Sequence, residues 1–416
     1  MNYFIKQYKN STNQQICSIN LPSSKSESNR LLIMNALSGG KITIENLSSA
    51  RDTQTLIKLL TADLDSQIFD VLDAGTAMRF LTAYFAITTK KEVILTGTER
   101  MQNRPIGTLV DALHSIGANI SYENKDGYPP LRINPFQEQI SSTLSIPGNI
   151  SSQYISALLM VAPILPSGLE VEIEPPTFSK PYIDMTLGLM HLSGIRYSQN
   201  GDFIKIAHQG YQKSMRIVES DWSASSYWFS IIAQSKIGKK VLLEGLKSES
   251  FQGDQVIKSM ARDFGVNFEF KNEGLLIEKH SLALKKELKL DFRKCPDLAQ
   301  TVLPCAASLK INLEMTGLES LRIKETDRIL ALQNELAKFN CQLIESKKGV
   351  WKLKTSDFSI KSEPIIETYE DHRMAMGFAP LAINNALQIN DIEVVNKSYP
   401  TFWDDLQLFG FEFMQK

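Results

Sequence analysis

Residues 109–133, LVDALHSIGANISYENKDGYPPLRI, decide the fold. The stretch predicts an amphipathic helix, a turn at Gly117, and two short alternating strands joined by a polar turn. Similar stretches recur at 185–207, 256–278 and 330–354, with turns at Gly194, Gly265 and Asn340. The turns follow one another at intervals of 77, 71 and 75 residues. Intervals this regular indicate an internal structural repeat.

Two weaker copies bracket these four stretches. They are DTQTLIKLLTADLD at 52–65 and FWDDLQLFGFEF at 402–413, where Gly410 lies 70 residues beyond Asn340. Six units across 416 residues predict an α+β fold of two similar domains, each made of three helix–strand units. A simpler explanation stays open, because glycine commonly follows a helix in unrelated folds. The regular spacing favours the repeat.

The composition is that of an ordinary globular protein, with 43% hydrophobic and 22% charged residues. Its 45 basic and 46 acidic side chains nearly cancel, so no overall field favours nucleic acid or an anionic membrane. Cysteines are scattered without metal-ligand spacing, at positions 17, 295, 305 and 341. We therefore expect no disulfide framework and no metal site.

No segment of the sequence has the length and apolar character of a signal peptide or a membrane span. The longest apolar stretch, Ile155–Leu165, is too short to cross a bilayer and contains Pro163. We expect a cytoplasmic protein, without a membrane or nucleic-acid partner.

Small polar and charged residues cluster directly before the predicted apolar helices. A helix N-terminus offers unpaired N–H groups and the positive end of the macrodipole, which favour anions. The segments are Pro22–Arg30, Asp73–Arg79, Arg100–Pro105, Ser151–Gln153, Ser179–Tyr182, Arg322–Arg328 and Glu370–Arg373. We expect the segment from Arg322 to open a helix on which Lys324 and Arg328, four residues apart, share a face. Helix caps and solvated salt bridges would explain each segment taken alone.

Taken together, these segments and the C-terminal region place eight basic residues at element junctions. They are Lys25, Arg30, Arg79, Arg104, Lys324, Arg328, Arg373 and Lys397. Few carboxylates accompany them, chiefly Asp297, which we expect to cap the next helix, and Glu325. This inventory suits the binding of phosphorylated anions and the transfer of a proton.

The ordered motifs SKSESNR, DAGTAMR, RPIGTL, SSQYISALLM, SKPYID, RIKETDR, EDHRMAM and KSYP resemble the EPSP synthase family of enolpyruvyl transferases. The resemblance covers nearly the whole chain. It implies transfer of the enolpyruvyl group of phosphoenolpyruvate to the 5-hydroxyl of shikimate 3-phosphate, with release of phosphate. This is a step of the shikimate pathway towards the aromatic amino acids.

The same resemblance implies a fold. Each domain would be an inside-out α/β barrel of three repeated units, and the two would close on a central cleft. The first domain would span 21–218 and bind mainly shikimate 3-phosphate. The second would comprise 1–20 and 219–416, and would contribute mainly phosphoenolpyruvate binding and proton transfer.

The resemblance also assigns roles to particular residues. Shikimate 3-phosphate would contact Lys25, Ser26, Arg30, Ser151, Ser152, Gln153, Ser179, Tyr182, Asp297, Ser320 and Lys324. Phosphoenolpyruvate would contact Lys25, Gly75, Arg104, Gln153, Arg328, Arg373 and Lys397. The catalytic candidates are Asp297, Glu325, Lys25 and His372.

In the implied reaction, Asp297 suits the base that accepts the hydroxyl proton. Glu325, or alternatively Lys25, suits the acid that protonates C3. The resemblance implies neither a cofactor nor a metal. We expect a monomer that glyphosate inhibits, since Gly75 keeps the small side chain that leaves room for that inhibitor.

Three positions depart from the family pattern. Asp73 stands where the family usually has Asn, Ser24 replaces a Gly, and Ser320 replaces an Asn that often contacts the shikimate phosphate. An extra negative charge at Asp73 lies beside the expected anion site. We therefore expect Asp73 to bond Arg79 or backbone amides and to face away from substrate.

Two other functions were considered. The related transferase acting on UDP-N-acetylglucosamine carries a reactive cysteine on a mobile loop, and the corresponding stretch Arg100–Arg104 has none. A non-catalytic clamp around nucleic acid would need a basic face along its helices. The basic residues here stand at helix starts, which favours an enzyme.

Overall fold

The structure is a computed structural model that describes residues 2–6, 16–62, 67–360 and 363–415. The chain divides into two compact units. We call Ser23–Val218 the continuous unit, and Met1–Pro22 together with Glu219–Lys416 the split unit. Each unit has a hydrophobic core of its own.

Both units contain several α-helices. In the described part of the chain these are α1 (Lys25–Leu37), α2 (Arg51–Leu60), α3 (Gly75–Thr88), α4 (Glu99–Gln102), α5 (Gly107–Ser115), α6 (Ser152–Val161), α7 (Lys180–Leu192), α8 (Trp222–Gln234), α9 (Ile257–Asp263), α10 (Ala299–Ser308), α11 (Arg328–Ala337), α12 (His372–Phe378) and α13 (Phe402–Phe409).

The strands are short. They are β1 (Tyr3–Ile5), β2 (Cys17–Asn20), β3 (Ile42–Glu45), β4 (Ile68–Asp70), β5 (Val93–Thr96), β6 (Asn119–Tyr122), β7 (Leu131–Asn134), β8 (Thr143–Pro147), β9 (Leu169–Glu174), β10 (Ser198–Asn200), β11 (Phe203–Ile206), β12 (Ser214–Ile217), β13 (Lys240–Glu244), β14 (Val266–Phe270), β15 (Gly274–Lys279), β16 (Glu287–Asp291), β17 (Asn312–Thr316), β18 (Gln342–Lys347), β19 (Val350–Lys354), β20 (Ile365–Ile366), β21 (Leu387–Ile389) and β22 (Phe413–Gln415).

Among the described residues these strands form six sheets, three in each unit. The continuous unit has β4–β5–β7–β6, β8–β9–β11–β10 and the two-stranded β3–β12; the split unit has β2–β13–β15–β14, β16–β17–β19–β18 and β20–β21–β1–β22. In every four-stranded sheet the first two strands are parallel and the remaining pairings are antiparallel. In four of these sheets a buried helix connects the parallel pair, as a parallel connection requires, whereas between β2 and β13 the chain passes through the whole continuous unit before α8. This confirms the predicted α+β repeat of helix–strand units.

The repeat turns take the left-handed backbone that ends a helix and starts a strand. The φ angles are +107° at Gly117, +87° at Gly194, +78° at Gly265, +57° at Asn340 and +121° at Gly410. Glycine and asparagine tolerate this conformation better than other residues, which explains the residue types at these turns. The end of the weak copy at 52–65 lies partly outside the described residues.

Fully buried helices occupy the interior of each unit, and the sheets lie on the exterior. In α6 every residue except Gln153 is buried, and in α12 every residue is buried. The sheet strands instead alternate, as in β7 and β9, with one face on the core and one facing solvent. A helix that is apolar all round must be buried, whereas an alternating strand suits an outer layer. The inside-out arrangement is therefore confirmed.

Candidate active site

The continuous unit brings several helix N-termini together. Gln153 Nε2 at the start of α6 donates to Thr76 Oγ1 at the start of α3 over 3.2 Å. Arg30 in α1 donates to the carbonyl oxygen of Tyr182, in the first turn of α7, over 3.3 Å. Helix α1 also packs against α3 and α6. The positive ends of these helix dipoles therefore reinforce one another at one end of the unit, which favours anions there.

The expected serine ligands lie at these N-termini, and one of them also caps its helix. Ser151 Oγ accepts from Gln153 N at 3.3 Å, and Ser152 follows it as the first residue of α6. Ser179 precedes α7 in a left-handed backbone conformation, with φ +54°, and none of the described side chains caps that helix. The start of α7 therefore keeps N–H groups that an anion can use.

Arg30 is a buried cation, with only 2% of its surface exposed. Its donors reach neutral oxygens: Thr186 Oγ1 at 2.7 Å, Ser26 O at 2.9 Å, Ser156 Oγ at 3.2 Å and Tyr182 O at 3.3 Å. No carboxylate among the described residues lies within ion-pair distance of it. Burial lowers the pKa of Arg30 to about 10. An anion bound nearby would offset this burial of an uncompensated charge.

Lys25 has a carboxylate partner that the sequence analysis did not identify. Its Nζ lies 3.1 Å from Asp52 Oδ2 at the start of α2. Asp52 is buried, and its Oδ1 has no hydrogen-bond partner among the described residues. An anionic substrate would therefore compete with Asp52 for Lys25. The sequence held no local signal for this pair, because 27 residues separate its members.

Gly75 and Arg104 form a close contact at the start of α3. A Cβ atom on Gly75 would lie 2.5 Å from Arg104 Nη1. The Nε of Arg104 is buried and has no hydrogen-bond partner among the described residues. The Arg104 loop is fixed through Pro105, whose carbonyl oxygen accepts from Arg79 at 3.0 Å and Tyr154 at 2.6 Å. A guanidinium group is thus held directly beside a helix N-terminus.

Asp73 has an ion-pair partner that the sequence analysis did not name. Arg51 Nη2 lies 2.7 Å from Asp73 Oδ2. Arg79, one of the partners we expected, donates to the carbonyl oxygens of Gly75 and Pro105. The partner thus comes from the start of α2, 22 residues earlier in the chain.

The split unit contains a buried cluster of charges around Arg328, which is 1% exposed. Its guanidinium donates to Asp371 Oδ2 at 2.6 Å, Asp371 Oδ1 at 3.3 Å, Glu325 Oε2 at 2.8 Å and Asp297 Oδ1 at 2.9 Å. Asp297 also lies 3.2 Å from Arg373 Nη2 and 3.5 Å from Lys324 Nζ. The structure therefore brings together Asp297, Lys324, Glu325, Arg328 and Arg373, all predicted from the sequence.

Burial and neighbouring cations have opposite effects on the carboxyl of Asp297. Burial raises the pKa of Asp297, but Arg373, Lys324 and Arg328 outweigh burial and hold it well below the usual range. Asp297 is therefore ionised at neutral pH and can accept a proton but not donate one.

Two expectations about this region are wrong in their local geometry. The helix expected from Arg322 begins only at Arg328, after a 3₁₀ segment Glu319–Ile323, so Lys324 does not share a helix face with Arg328. Asp297 does not cap α10, because it lies in a 3₁₀ turn, Pro296–Leu298, and its carboxylate binds Arg328. Lys324 and Arg328 instead form ion pairs with the same carboxylate, that of Asp297, which is distant from both in the sequence.

Asp371 was not among the predicted site residues, although it organises the cluster. It is fully buried, binds Arg328 through both carboxylate oxygens, and caps α12 by accepting from Arg373 N at 2.9 Å. Its position before an apolar helix is a signal for a cap, which could have identified it.

The remaining candidates in the split unit lie on neighbouring segments. His372 opens α12, with Nδ1 3.6 Å from Asp371 Oδ1. Lys397 is buried at the end of a 3₁₀ segment, Ile392–Lys397, that packs against α12. Ser320 lies in the 3₁₀ segment Glu319–Ile323, which packs against the turn carrying Asp297.

One further buried carboxyl lies close to this cluster. Asp254 accepts a hydrogen bond from Ser223 Oγ, and its Oδ1 has no hydrogen-bond partner among the described residues. Burial raises the pKa of Asp254 to about 6, although the positive charge of Arg373 opposes the rise. Asp254 was not predicted from the sequence.

The described residues contain neither a cluster of metal ligands nor a membrane-spanning helix. In this part of the chain, no group of three or more His, Cys, Asp or Glu side chains is placed to hold a metal ion. No helix in the same part is both long enough and apolar enough to cross a membrane.

Comparison with known proteins agrees with the geometry. The sequence pattern of the family described as EPSP synthase (3-phosphoshikimate 1-carboxyvinyltransferase) matches residues 10–64 and 62–406. The 3-phosphoshikimate 1-carboxyvinyltransferase of Bacteroides fragilis is 45% identical over 94% of this chain and 95% of its own length. That of Pasteurella multocida is 34% identical over 93% of each chain.

A solved structure shares the fold. The EPSP synthase of Acinetobacter baumannii covers 100% of both chains with a TM-score of 0.79 at 20% sequence identity. The family pattern spans most of the chain, and the identities to the relatives extend over nearly all of it. This chain therefore belongs to the EPSP synthase (3-phosphoshikimate 1-carboxyvinyltransferase) family.

Proposed function

We propose that this chain transfers the enolpyruvyl group of phosphoenolpyruvate to the 5-hydroxyl of shikimate 3-phosphate, releasing inorganic phosphate, in aromatic amino acid biosynthesis. Its membership of the family supports the reaction. The observation that carries the proposal is Asp297, an ionised carboxylate bound by Arg328, Arg373 and Lys324. Such a group combines a proton acceptor with cations for phosphate and carboxylate groups.

The continuous unit is proposed to bind mainly shikimate 3-phosphate. The phosphate group of shikimate 3-phosphate would be bound by Ser151, Ser152 and Ser179 at the starts of α6 and α7. Backbone N–H groups and helix dipoles favour anions there. Arg30 and Ser26 would bind the carboxylate. The buried charge of Arg30, surrounded by neutral oxygens, supports this role.

Further contacts are proposed for the same substrate. Tyr182 and Gln153 would line the ring, and Lys25 would lie near its reacting side. From the split unit, Lys324 and Ser320 would contribute to the phosphate site, and Asp297 would reach the 5-hydroxyl.

Phosphoenolpyruvate is proposed to bind arginine and lysine side chains of both units. Arg104 beside Gly75 would bind its phosphate or carboxylate, with Lys25 and Gln153 in support. Arg328, Arg373 and Lys397 would bind from the split unit. Arginine suits these groups because its planar fork binds two oxygens at once.

Proton transfer follows from the charge cluster. The 5-hydroxyl oxygen would bond to C2 of phosphoenolpyruvate while its proton passes to Asp297. C3 would gain a proton from Glu325, with Lys25 as the alternative donor and His372 nearby, giving a tetrahedral intermediate. The C2–O bond to phosphate would then break as C3 loses a proton, which leaves the enolpyruvyl ether.

Substrate binding would also tune Asp297. In the empty protein three cations hold its pKa low, so it is a weak base. A phosphate or carboxylate that draws Arg373 and Lys324 towards itself would reduce this stabilisation and raise the proton affinity of Asp297. The base would thus become effective when the anions are bound.

Phosphate release from the purified chain tests the proposal. We expect release with phosphoenolpyruvate plus shikimate 3-phosphate, none with either alone, and an enolpyruvyl product by mass spectrometry. Absence of release from folded protein would contradict the assignment. Release with UDP-N-acetylglucosamine in place of shikimate 3-phosphate would favour the related transferase.

Three accompanying properties are also proposed: inhibition by glyphosate, a monomeric state and a cytoplasmic location. The phosphoenolpyruvate site is expected to bind glyphosate, because the absence of a side chain at Gly75 lets the Arg104 guanidinium lie directly against the start of α3. We expect a monomer that works in the cytoplasm. Sedimentation with and without substrates would test the monomeric state, and fractionation of cells would test the cytoplasmic location.

A further inference from the structure

Tyr154 belongs to the motif SSQYISALLM, yet the proposed function gives it no role. It is the third residue of α6, after Ser152 and Gln153, and only 4% of its surface is exposed. Its hydroxyl donates a hydrogen bond of 2.6 Å to the carbonyl oxygen of Pro105, in the loop between α4 and α5. A buried hydroxyl needs such a partner, and this bond joins segments 49 residues apart in the chain.

The loop that contains Pro105 also carries Arg104, and its backbone is held at successive residues. Arg104 N donates to Met101 O over 3.0 Å, and Ile106 N donates to Gly127 O over 2.8 Å. Between these two bonds lies the carbonyl group of Pro105, which accepts from the tyrosine hydroxyl. The hydroxyl therefore restrains the residue directly after Arg104.

The side chain of Arg104 depends on this backbone for its position. Its Nη1 lies 2.5 Å from the place that a Cβ on Gly75 would take, so the guanidinium packs against the start of α3. Its Nε is buried and has no hydrogen-bond partner among the described residues, so no hydrogen bond at that atom fixes the group. Arginine grips an oxyanion through two parallel N–H bonds, which require a definite orientation. A displaced loop would therefore weaken the binding of phosphoenolpyruvate.

We propose that Tyr154 is a positioning residue for phosphoenolpyruvate, because its hydroxyl holds Pro105 and thereby keeps the guanidinium of Arg104 beside the start of α3. The inference deepens the proposed function and rests on the phosphoenolpyruvate site described above. Tyr154 acts through Arg104, unlike its neighbour Gln153, which is proposed to bind both substrates.

Removal of the hydroxyl tests this role. In Tyr154→Phe we expect KM for phosphoenolpyruvate to rise about three- to tenfold, because only the bond from Arg79 then restrains the carbonyl group of Pro105. Both kcat and KM for shikimate 3-phosphate should stay within about twofold of the parent, since Ser151 and Ser152 lie outside that loop. Steady-state phosphate release, with each substrate varied in turn, measures these constants.

Tyr211→Phe is the matched control. Tyr211 is a buried tyrosine of the same unit, 1% exposed, whose hydroxyl donates to the carbonyl oxygen of Met160 over 2.7 Å. The substitution removes the same kind of bond, so it should lower the denaturant midpoint about as much as Tyr154→Phe does. KM for phosphoenolpyruvate should stay at the parental value, because this bond does not involve the Arg104 loop.

A second background shows whether Tyr154 acts through Arg104. Arg104→Lys keeps a positive charge on a flexible stem but loses the planar fork, so its binding depends less on the exact place of the loop. Adding Tyr154→Phe to Arg104→Lys should therefore raise KM for phosphoenolpyruvate by less than about twofold.

Three results would overturn the inference. They are an unchanged KM for phosphoenolpyruvate in Tyr154→Phe, an equal rise in Tyr211→Phe, and a full three- to tenfold rise when Tyr154→Phe is added to Arg104→Lys. Failure of the proposed function would look different, because the parent protein itself would then release no phosphate from the two substrates.

Discussion

At the scale of single residues, Asp297 shows how neighbours set the chemistry of a carboxyl. It is bound by Arg328, Arg373 and Lys324, which hold its pKa well below the usual range although burial opposes this. In the same unit, burial dominates at Asp254 and raises its pKa to about 6. The number of cations within hydrogen-bond distance explains the difference.

Asp297→Asn keeps the shape of the side chain and removes the base. We expect kcat to fall by about 10²- to 10⁴-fold, the usual contribution of general-base catalysis, with a smaller change in KM. Steady-state phosphate release measures both constants. Asp291→Asn is the control, because it alters an exposed aspartate paired with Arg293 and should leave kcat unchanged. A variant at Asp297 retaining a tenth of the activity would exclude the base role.

Gly75→Ala changes the contact with Arg104. The new Cβ would lie 2.5 Å from Arg104 Nη1, so the guanidinium proposed to bind phosphoenolpyruvate and glyphosate must move away from the start of α3. We expect the inhibition constant of glyphosate to rise at least about tenfold, and turnover to fall by less than that.

The control for this variant is Gly210→Ala in the same unit. A Cβ there would meet nothing within 4 Å, and the φ angle of Gly210 lies outside the left-handed range. It should alter neither constant. If Gly75→Ala weakens inhibition by glyphosate and turnover by the same factor, the substitution does not distinguish glyphosate from phosphoenolpyruvate, which contradicts this prediction.

At the scale of elements, a strained turn places Asp371 beside Arg328. Tyr369 and Glu370 both have left-handed backbones, with φ +53° and +55°, a conformation that costs about 1–2 kcal/mol per residue. Glu335, buried in α11, holds the segment by accepting from Tyr369 Oη at 2.8 Å and Glu367 N at 3.2 Å. Helix α11 thus supports the turn through Glu335 and also carries, as its first residue, Arg328, which binds Asp371.

Tyr369→Phe removes one of these supports. We expect a loss of about 1–2 kcal/mol in the free energy of unfolding, since a buried carboxylate oxygen loses a donor. Because the turn carries Asp371, KM for phosphoenolpyruvate should also rise several-fold. Denaturant unfolding and kinetics measure the two effects. Tyr197→Phe, at an exposed tyrosine, should change neither. A loss of stability with unchanged KM would mean that the hydrogen bond between Tyr369 and Glu335 has a structural role only.

At the scale of the whole molecule, Asp254 links pH to stability. Burial raises its pKa to about 6 in the folded chain, against about 3.9 for an aspartate in an unfolded chain, so the folded chain binds this proton more tightly. Its ionisation therefore destabilises the fold as pH rises from about 4 to about 6, and the full penalty is present above that. Arg373, Asp297 and Asp221 supply the nearby charges, and Ser223 the hydrogen bond.

Asp254→Asn removes this penalty. At pH 5 and at pH 8 the variant is compared with the parent in its free energy of unfolding. We expect the gain in stability from the substitution to be about 1.4 kcal/mol larger at pH 8 than at pH 5. Parallel denaturant titrations of the parent and the variant at the two pH values measure the difference. A difference that is independent of pH would mean that Asp254 has an ordinary pKa in the folded protein.

Part of the fold and of the site could be predicted because its signals are local. The helix, turn and strand of each repeat lie within about 25 residues. A glycine directly after a helical pattern, such as Gly265, indicates the turn that ends the helix. The basic residues before apolar helices are local signals as well. They led to the prediction of Arg328 and Arg373 as site residues, and in the structure both form ion pairs with Asp297.

The sequence by itself thus determined the repeat, its α+β class, the inside-out layering expected from the family, and the inventory of charges at helix starts. Only the tertiary structure decided which charges meet: Lys25 with Asp52, Arg51 with Asp73, and Arg328 with Asp371. It also decided that cations outweigh burial at Asp297 while burial prevails at Asp254. The physical reason is that ion pairs and desolvation depend on distances between segments far apart in the chain, and packing of the buried helices sets those distances.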